Sequence, residues 1–308
     1  MRSLSVFMFH DIRDHFDIKH SRRYNLKSFL SIKQFVDYIN YIVSRFKVIS
    51  TEQLSSGDIT GGNDDCAILT FDDGLIDHYN NVLPILKHYK IKGTFLIASK
   101  PATESYIIHS HKIQFIISCV ADESLLVKRI FDELGVDNEE QVYLWEKYSI
   151  SNHNGNWWTK EMVFITNFFR NYKDRYPIVD TLFSELVASD FKRFNESFYL
   201  KPEHVTKLVK AGMDIGGHGH TSENLLLLDD IGVREDVSKS IAFVKGLSKS
   251  SITSFSYPNG GYNKKIIDIL AISSCDVAFT TEEKTISQLT PINYLCVPRF
   301  NLLGARNT

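Results

Sequence analysis

The sequence predicts an α/β fold, a parallel sheet or barrel split by a helical insertion, and three observations carry that prediction. Short apolar runs alternate with amphipathic stretches of helical spacing from residue 4 to about residue 98. From about residue 104 to residue 200 the pattern is helical, with no clear strand between the helices. From residue 201 the alternation resumes and runs nearly to the last residue. The expected organisation is a barrel in two parts, 1–103 and 201–308, with an insertion over 104–200.

Taken in order, residues 4–9 read as a buried strand ending at His10, followed by a charged loop from Asp11 to Arg23. Phe29, Ile32, Phe35, Val36, Ile39, Ile42 and Val43 recur at helical spacing and predict a helix over 28–45. Residues 46–50 read as a second short strand. The run Cys66-Ala67-Ile68-Leu69, bounded by Gly61-Gly62 and Gly74, reads as a buried strand that ends in Thr70-Phe71-Asp72-Asp73-Gly74. A helix over 75–90 and a strand over 93–98 follow. In the insertion, helices are expected over 113–134, 139–148, 159–173 and 178–195, with a polar loop holding Trp157-Trp158. That tryptophan pair reads equally as a sugar-stacking wall or as packing within the insertion. Beyond it come a helix over 201–211 with Pro202 in its first turn, a strand over 212–218, a helix over 232–249 and a strand over 254–257. A turn at Pro258-Asn259-Gly260-Gly261, a helix over 263–272, and strands over 277–280 and 296–300 complete the chain.

Composition excludes several classes. With 308 residues, 43% of them hydrophobic, the chain is long enough for one large core or a core plus insertion. A net charge of -2 gives no basic field for nucleic acid or an anionic membrane surface. Four scattered cysteines contain no CxxC pair, which argues against a zinc knuckle or redox motif and for a reducing compartment. The N-terminal apolar run is too short for a secretion signal, and no stretch has transmembrane length. The expected location is cytoplasmic. The sequence sets no oligomeric state.

Chemistry-bearing residues stand where the strands end. Asp72 and Asp73 are adjacent, so one carboxyl is raised in pKa unless a cation holds its neighbour. By itself Asp-Asp-Gly reads as a turn or helix cap, and a lone histidine as a structural one. Yet His10, Asp72-Asp73, His218 with His220, Pro258-Asn259-Gly260 and Arg299 all fall at the same inferred end of the strands. That is where α/β folds gather ligands and catalytic groups.

Here the chain resembles the NodB-like polysaccharide deacetylases, carbohydrate esterase family four. Thr70-Phe71-Asp72-Asp73-Gly74 matches the family's first motif. Residues from Ile215 to Leu225 resemble the second, I-G-x-H-[ST]-x-[ST]-H-x-x-L. Residues from Phe255 to Asn263 resemble the third in its F-A-Y-P-x-G-x-Y-N form. Phe9-His10-Asp11-Ile12 and Val297-Pro298-Arg299-Phe300 resemble the opening Y-H-x-I and closing segments of one subgroup. The resemblance covers roughly 4–100 and 201–303 and leaves the insertion outside. It implies a distorted (β/α)7 barrel and metal-assisted removal of an acetyl group from an N-acetylated sugar, with zinc the usual ion. It also implies Asp72 as general base, Asp73 and His218 as metal ligands, Arg299 in the catalytic group, and the Pro258-Asn259-Gly260 turn as the oxyanion site, with the backbone N–H of Asn259 as donor.

The chain departs from the family at one ligand. The position four residues after His218 is Ser222, not histidine, and a register beginning at His220 places Asn224 there. A third ligand is then expected from His220, swinging in through Gly219, or from His111 in the insertion, unless the metal is weakly held or missing. The family's late Leu-x-His segment is not found, and His10, at the end of the first strand, is a candidate acid for the leaving amine, its alternative a purely structural histidine. A cytoplasmic enzyme would act on a precursor of a surface polysaccharide. The alternative reading is a catalytically impaired relative that binds a glycan or a partner enzyme. A two-carboxylate glycosidase is disfavoured, because adjacent Asp72 and Asp73 would not flank a sugar bond.

Overall fold

A computed structural model describes residues 3–14, 29–56, 64–150, 158–172, 175–248, 250–287 and 292–302. The expectations for Gly61-Gly62, for Trp157 and for most of the 11–23 loop lie outside the described residues. The chain folds as a (β/α) barrel with additional helices. Contacts divide it into two compact units: Met1–Asp14, Ser28–Tyr106 and Asn195–Thr308 form one, and Ile107–Phe194 lies in the other.

The barrel unit is built on strands β1 (Ser3–Phe9), β5 (Asp65–Phe71), β6 (Thr94–Ile97), β7 (Asp214–Gly217), β8 (Ser254–Ser256) and β9 (Val277–Phe279), adjacent in that order and all parallel. β1 and β5 pair over their full length, from Ser3 opposite Asp65 to Phe9 opposite Phe71. The short β4 (Lys47–Val48) pairs with β5, and β10 (Ile286–Ser287) runs antiparallel to β1. Val297 bridges to Phe279, and β11 (Phe300–Asn301) pairs with β1. The segment holding Arg299 therefore joins the two ends of the parallel array.

Both faces of the sheet are covered, which is why the strands read as continuous apolar runs. Leu4, Val6, Cys66, Ile68, Leu96, Val277 and Phe279 form an inner cluster. Phe7, Phe9, Leu69, Phe71, Phe95 and Ile215 pack outward against helices α1 (Ile32–Arg45), α3 (Leu83–Tyr89) and α11 (Pro202–Lys210). Rings of Phe9, Phe71 and Phe95 stack in series at 5.2 and 4.9 Å. Side chains alternate along a strand, so Thr70 and Asp72 fall on the inner face with Ile68.

Several boundaries differ from the sequence expectation. The first helix starts at Ile32, where Ser31 and Gln34 form a capping box. Phe29–Leu30 is instead a strand, β3, paired with β2 (Asp11–Ile12). The helix expected over 113–134 is two helices, α5 (His109–Cys119) and α6 (Glu123–Leu134), the second capped by Asp122. The helix expected over 178–195 is also two, α9 (Arg175–Leu186) and α10 (Phe191–Phe198). Between them run α7 (Asn138–Tyr148) and α8 (Lys160–Asn171). Within that unit, Trp145, Tyr148 and Phe168 gather around Phe164 at ring distances of 5.2 to 6.4 Å.

Candidate active site

Asp72 sits one residue past β5, with its amide still on the Phe9 carbonyl at 3.0 Å, so it continues the ladder and points to the interior. Arg299 meets it there. Both guanidinium amino groups donate to the two carboxylate oxygens, at 2.7 and 2.8 Å. The same arginine donates to Thr70 Oγ1 at 3.1 Å and, through Nε, to the Thr280 carbonyl at 2.9 Å. Asp72 and Arg299 are buried, at 2% and 0% exposure. Burial alone would raise the Asp72 carboxyl, but the Arg299 charge, then His218 and the Arg299 hydrogen bond, hold it below the usual carboxylate value. The acid is thus kept ionised without solvent.

Asp73 follows in a left-handed turn, with φ at 73° for both Asp73 and Gly74. Glycine is required next: a Cβ on Gly74 would lie 2.8 Å from Ile97 Cγ2. The turn aims Asp73 at the end of β7, where the His218 amide bonds the Ile97 carbonyl at 3.0 Å. His218 Nε2 lies 3.4 Å from Asp73 Oδ1, and the Ser222 hydroxyl donates to the same oxygen at 3.4 Å. His218 Nδ1 shares a 2.6 Å hydrogen bond with Ser256 Oγ, which itself donates to Asp72 Oδ1 at 3.5 Å. Burial would lower the His218 pKa, but Asp72 and Asp73 raise it above the usual value. Asp72, Asp73, His218, Ser222, Ser256 and Arg299 therefore form one buried polar cluster at the strand ends.

One expected ligand, His220, is turned elsewhere. The His220 ring bonds Ser99 Oγ through Nδ1 at 2.8 Å, and its Nε2 faces Glu104 at 3.9 Å. Its backbone explains this: Asp236 on α12 (Asp230–Leu247) takes the amides of His220 and Thr221 at 2.7 and 2.9 Å and turns the ring toward Ser99. His111 is buried on α5, in the second unit. Among the described residues no group of three His, Cys, Asp or Glu side chains is placed to hold a metal. Ser222 remains at the third position.

The residues present nevertheless fit a cation. The two 3.4 Å separations that meet at Asp73 Oδ1 match edges of a tetrahedron whose corners lie about 2.0–2.1 Å from its centre, the zinc–nitrogen and zinc–oxygen bond range. The bond of His218 Nδ1 to Ser256 turns Nε2 toward Asp73, the outer support a metal-binding imidazole needs.

Around this cluster, His10 presents a buried Nδ1 with no hydrogen-bond partner among the described residues, and its charge acts on Asp72. The Pro258–Gly260 turn places Asn259 at φ 54°, and the amides of Gly260 and Gly261 are taken by the carbonyls of Tyr257 and Pro258. Three contributors were not singled out from the sequence: Ser256, Asp236 and His78. His78 lies buried among Phe71 and Phe95, with Nε2 on the His10 carbonyl at 3.1 Å. Only Ser256 had an available clue, its place two residues before Pro258 at a strand end.

The polysaccharide deacetylase family profile matches residues 60–140 and 155–276, more than half of the sequence. The chain belongs to the polysaccharide deacetylase family. The match runs through most of the second unit, so the helices once set outside the resemblance are part of the family's extent here. No curated protein sequence matches the chain. Among solved structures, this deacetylase is similar to the Streptococcus pyogenes deacetylase PplD in complex with acetate, at 13% identity and a TM-score of 0.59, covering 97% of this chain and 92% of that one. It is similar to IcaB from Ammonifex degensii, at 13% identity and TM-score 0.58, covering 98% and 92%. A de-N-acetylase from Aggregatibacter actinomycetemcomitans matches at 12% identity and TM-score 0.52, covering 97% and 94%. These likenesses establish the barrel fold.

Proposed function

We propose that this polysaccharide deacetylase hydrolyses the acetamido group of an N-acetylated sugar, with Asp72 as the general base, and the single observation that carries this is the buried, bidentate Asp72–Arg299 pair. Arg299 keeps Asp72 ionised and fixes its two oxygens, so its remaining lone pairs are available to an attacking water. Asp73, His218 and Ser222 would hold a divalent cation, which supplies polarisation of the amide carbonyl and acidification of water. The Asn259 amide, in the left-handed turn after Pro258, is assigned to the oxyanion. His10 Nδ1 is assigned to protonating the leaving amine. Acetate, present in the PplD structure, is the product that this reaction releases. The impaired-relative reading draws on Ser222 in the third position and predicts no acetate at all.

The experiment is acetate release from N-acetylated oligosaccharides by wild type and Asp72→Asn. Loss of about 100-fold or more is expected. Activity in the variant within severalfold of wild type would remove Asp72 as the base.

A further inference from the structure

The third position of the cation site is a hydroxyl oxygen, and oxygen and nitrogen do not favour the same ions. His218 Nε2 and Ser222 Oγ each lie 3.4 Å from Asp73 Oδ1, and all three residues are buried, with Asp73 at 7%, His218 at 4% and Ser222 at 5% exposure. Ser222 reaches this point at a cost. Its φ is 58°, a left-handed conformation that strains a serine. The strain is maintained by neighbours: Asp236 fixes the two preceding amides and the Thr221 hydroxyl, at 2.7 to 2.9 Å. Gly219 opens the turn at φ 71°, where a Cβ would lie 2.8 Å from Asp236 Oδ1. The loop is thus built to aim the Ser222 hydroxyl at Asp73 while His220 turns away to Ser99.

Resting on the deacetylase reading, the geometry points to a one-nitrogen, two-oxygen cation site, Asp73 Oδ1, His218 Nε2 and Ser222 Oγ, whose preference for zinc over manganese is narrowed by the hydroxyl. Imidazole favours zinc, whereas carboxylate, hydroxyl and water suit magnesium and manganese. Removing one imidazole therefore weakens zinc more than manganese.

The test is calorimetric titration of the metal-free full chain with manganese chloride and with zinc chloride. Ser222→Gly keeps the left-handed backbone without strain and removes only the hydroxyl. It should weaken manganese about tenfold or more, the scale on which even outer partners of a metal act. Ser222→His, a residue tolerated in left-handed backbone, should raise the zinc-to-manganese affinity ratio about tenfold or more. His220→Ala should change neither. Unaltered manganese affinity in Ser222→Gly overturns the assignment, as does an unaltered ratio in Ser222→His, or a wild type that binds neither ion. Acetate release from the same samples separates the two readings. A chain that releases acetate but binds neither ion sinks the hydroxyl site and leaves the deacetylase. Ser222-dependent binding without acetate release does the reverse.

Discussion

At the residue scale the site depends on one buried ion pair. Asp72 and Arg299 have left water, and their mutual attraction offsets desolvation only because every contact is short and the remaining donors reach Thr70 and Thr280. Breaking such a pair on one side strands a charge. Arg299→Gln and Asp72→Asn should each lower unfolding free energy by about 3–5 kcal/mol. The double variant Asp72→Asn/Arg299→Gln should lose clearly less than the two singles added together, because neither charge is then unpaired. Denaturant unfolding of the four proteins measures this. Strict additivity would mean that the pair contributes no coupling. The comparison also guards the activity test: a folded double variant without acetate release assigns the loss to chemistry rather than to unfolding.

At the scale of elements, the loop after β7 is positioned by α12. Asp236 accepts three hydrogen bonds from that loop and is 6% exposed, so its removal leaves two amides and a hydroxyl without their acceptor. Asp236→Ala should lower the melting temperature and reduce acetate release, while Asp236→Asn, which keeps an acceptor oxygen, should recover part of both. Equal behaviour of the two variants would show that the carboxylate is not the tie. This contact marks the limit of what the sequence discloses. Asp72, His218 and Arg299 were legible because a charged or imidazole side chain at the end of an apolar run has no core role. The alternation of strands and helices was legible because both faces of the sheet are covered. Asp236 was not, because an acid among the polar residues of an amphipathic helix reads as solvated. The orientation of His220 was not, because it depends on Gly219 and on Asp236 sixteen residues away. The helix breaks at 120–122 and 187–190 were missed because apolar spacing passes through them, and β2 and β3 because two residues carry no period.

At the scale of the whole molecule, buried histidines set the response to acid. His78 in the barrel unit is pushed down to about 4 by burial, its hydrogen bond to the His10 carbonyl only partly opposing this. His109 in the second unit is likewise pushed down to about 4 by burial, with its Nε2 on the Phe169 carbonyl at 2.9 Å. Both are neutral in the fold but protonate near pH 6.5 once unfolded, so the unfolded chain binds more protons between those values. Their contribution is complete above about pH 6.5 and is lost as pH falls toward 4, by up to about 3 kcal/mol for each. Asp72, with its lowered pKa, adds a loss only further into acid, below the ordinary carboxylate range. His218 acts in the opposite direction, because its raised pKa favours the protonated fold and that contribution fades as pH rises through the raised value. Melting temperature should therefore fall steadily from pH 7 to pH 4.5. His78→Phe, which keeps a ring against Phe71 and Phe95 but cannot take a proton, should start lower at pH 7 and fall less over the same interval. A variant curve parallel to wild type would show that His78 does not titrate with unfolding, and the acid sensitivity would then belong to other groups.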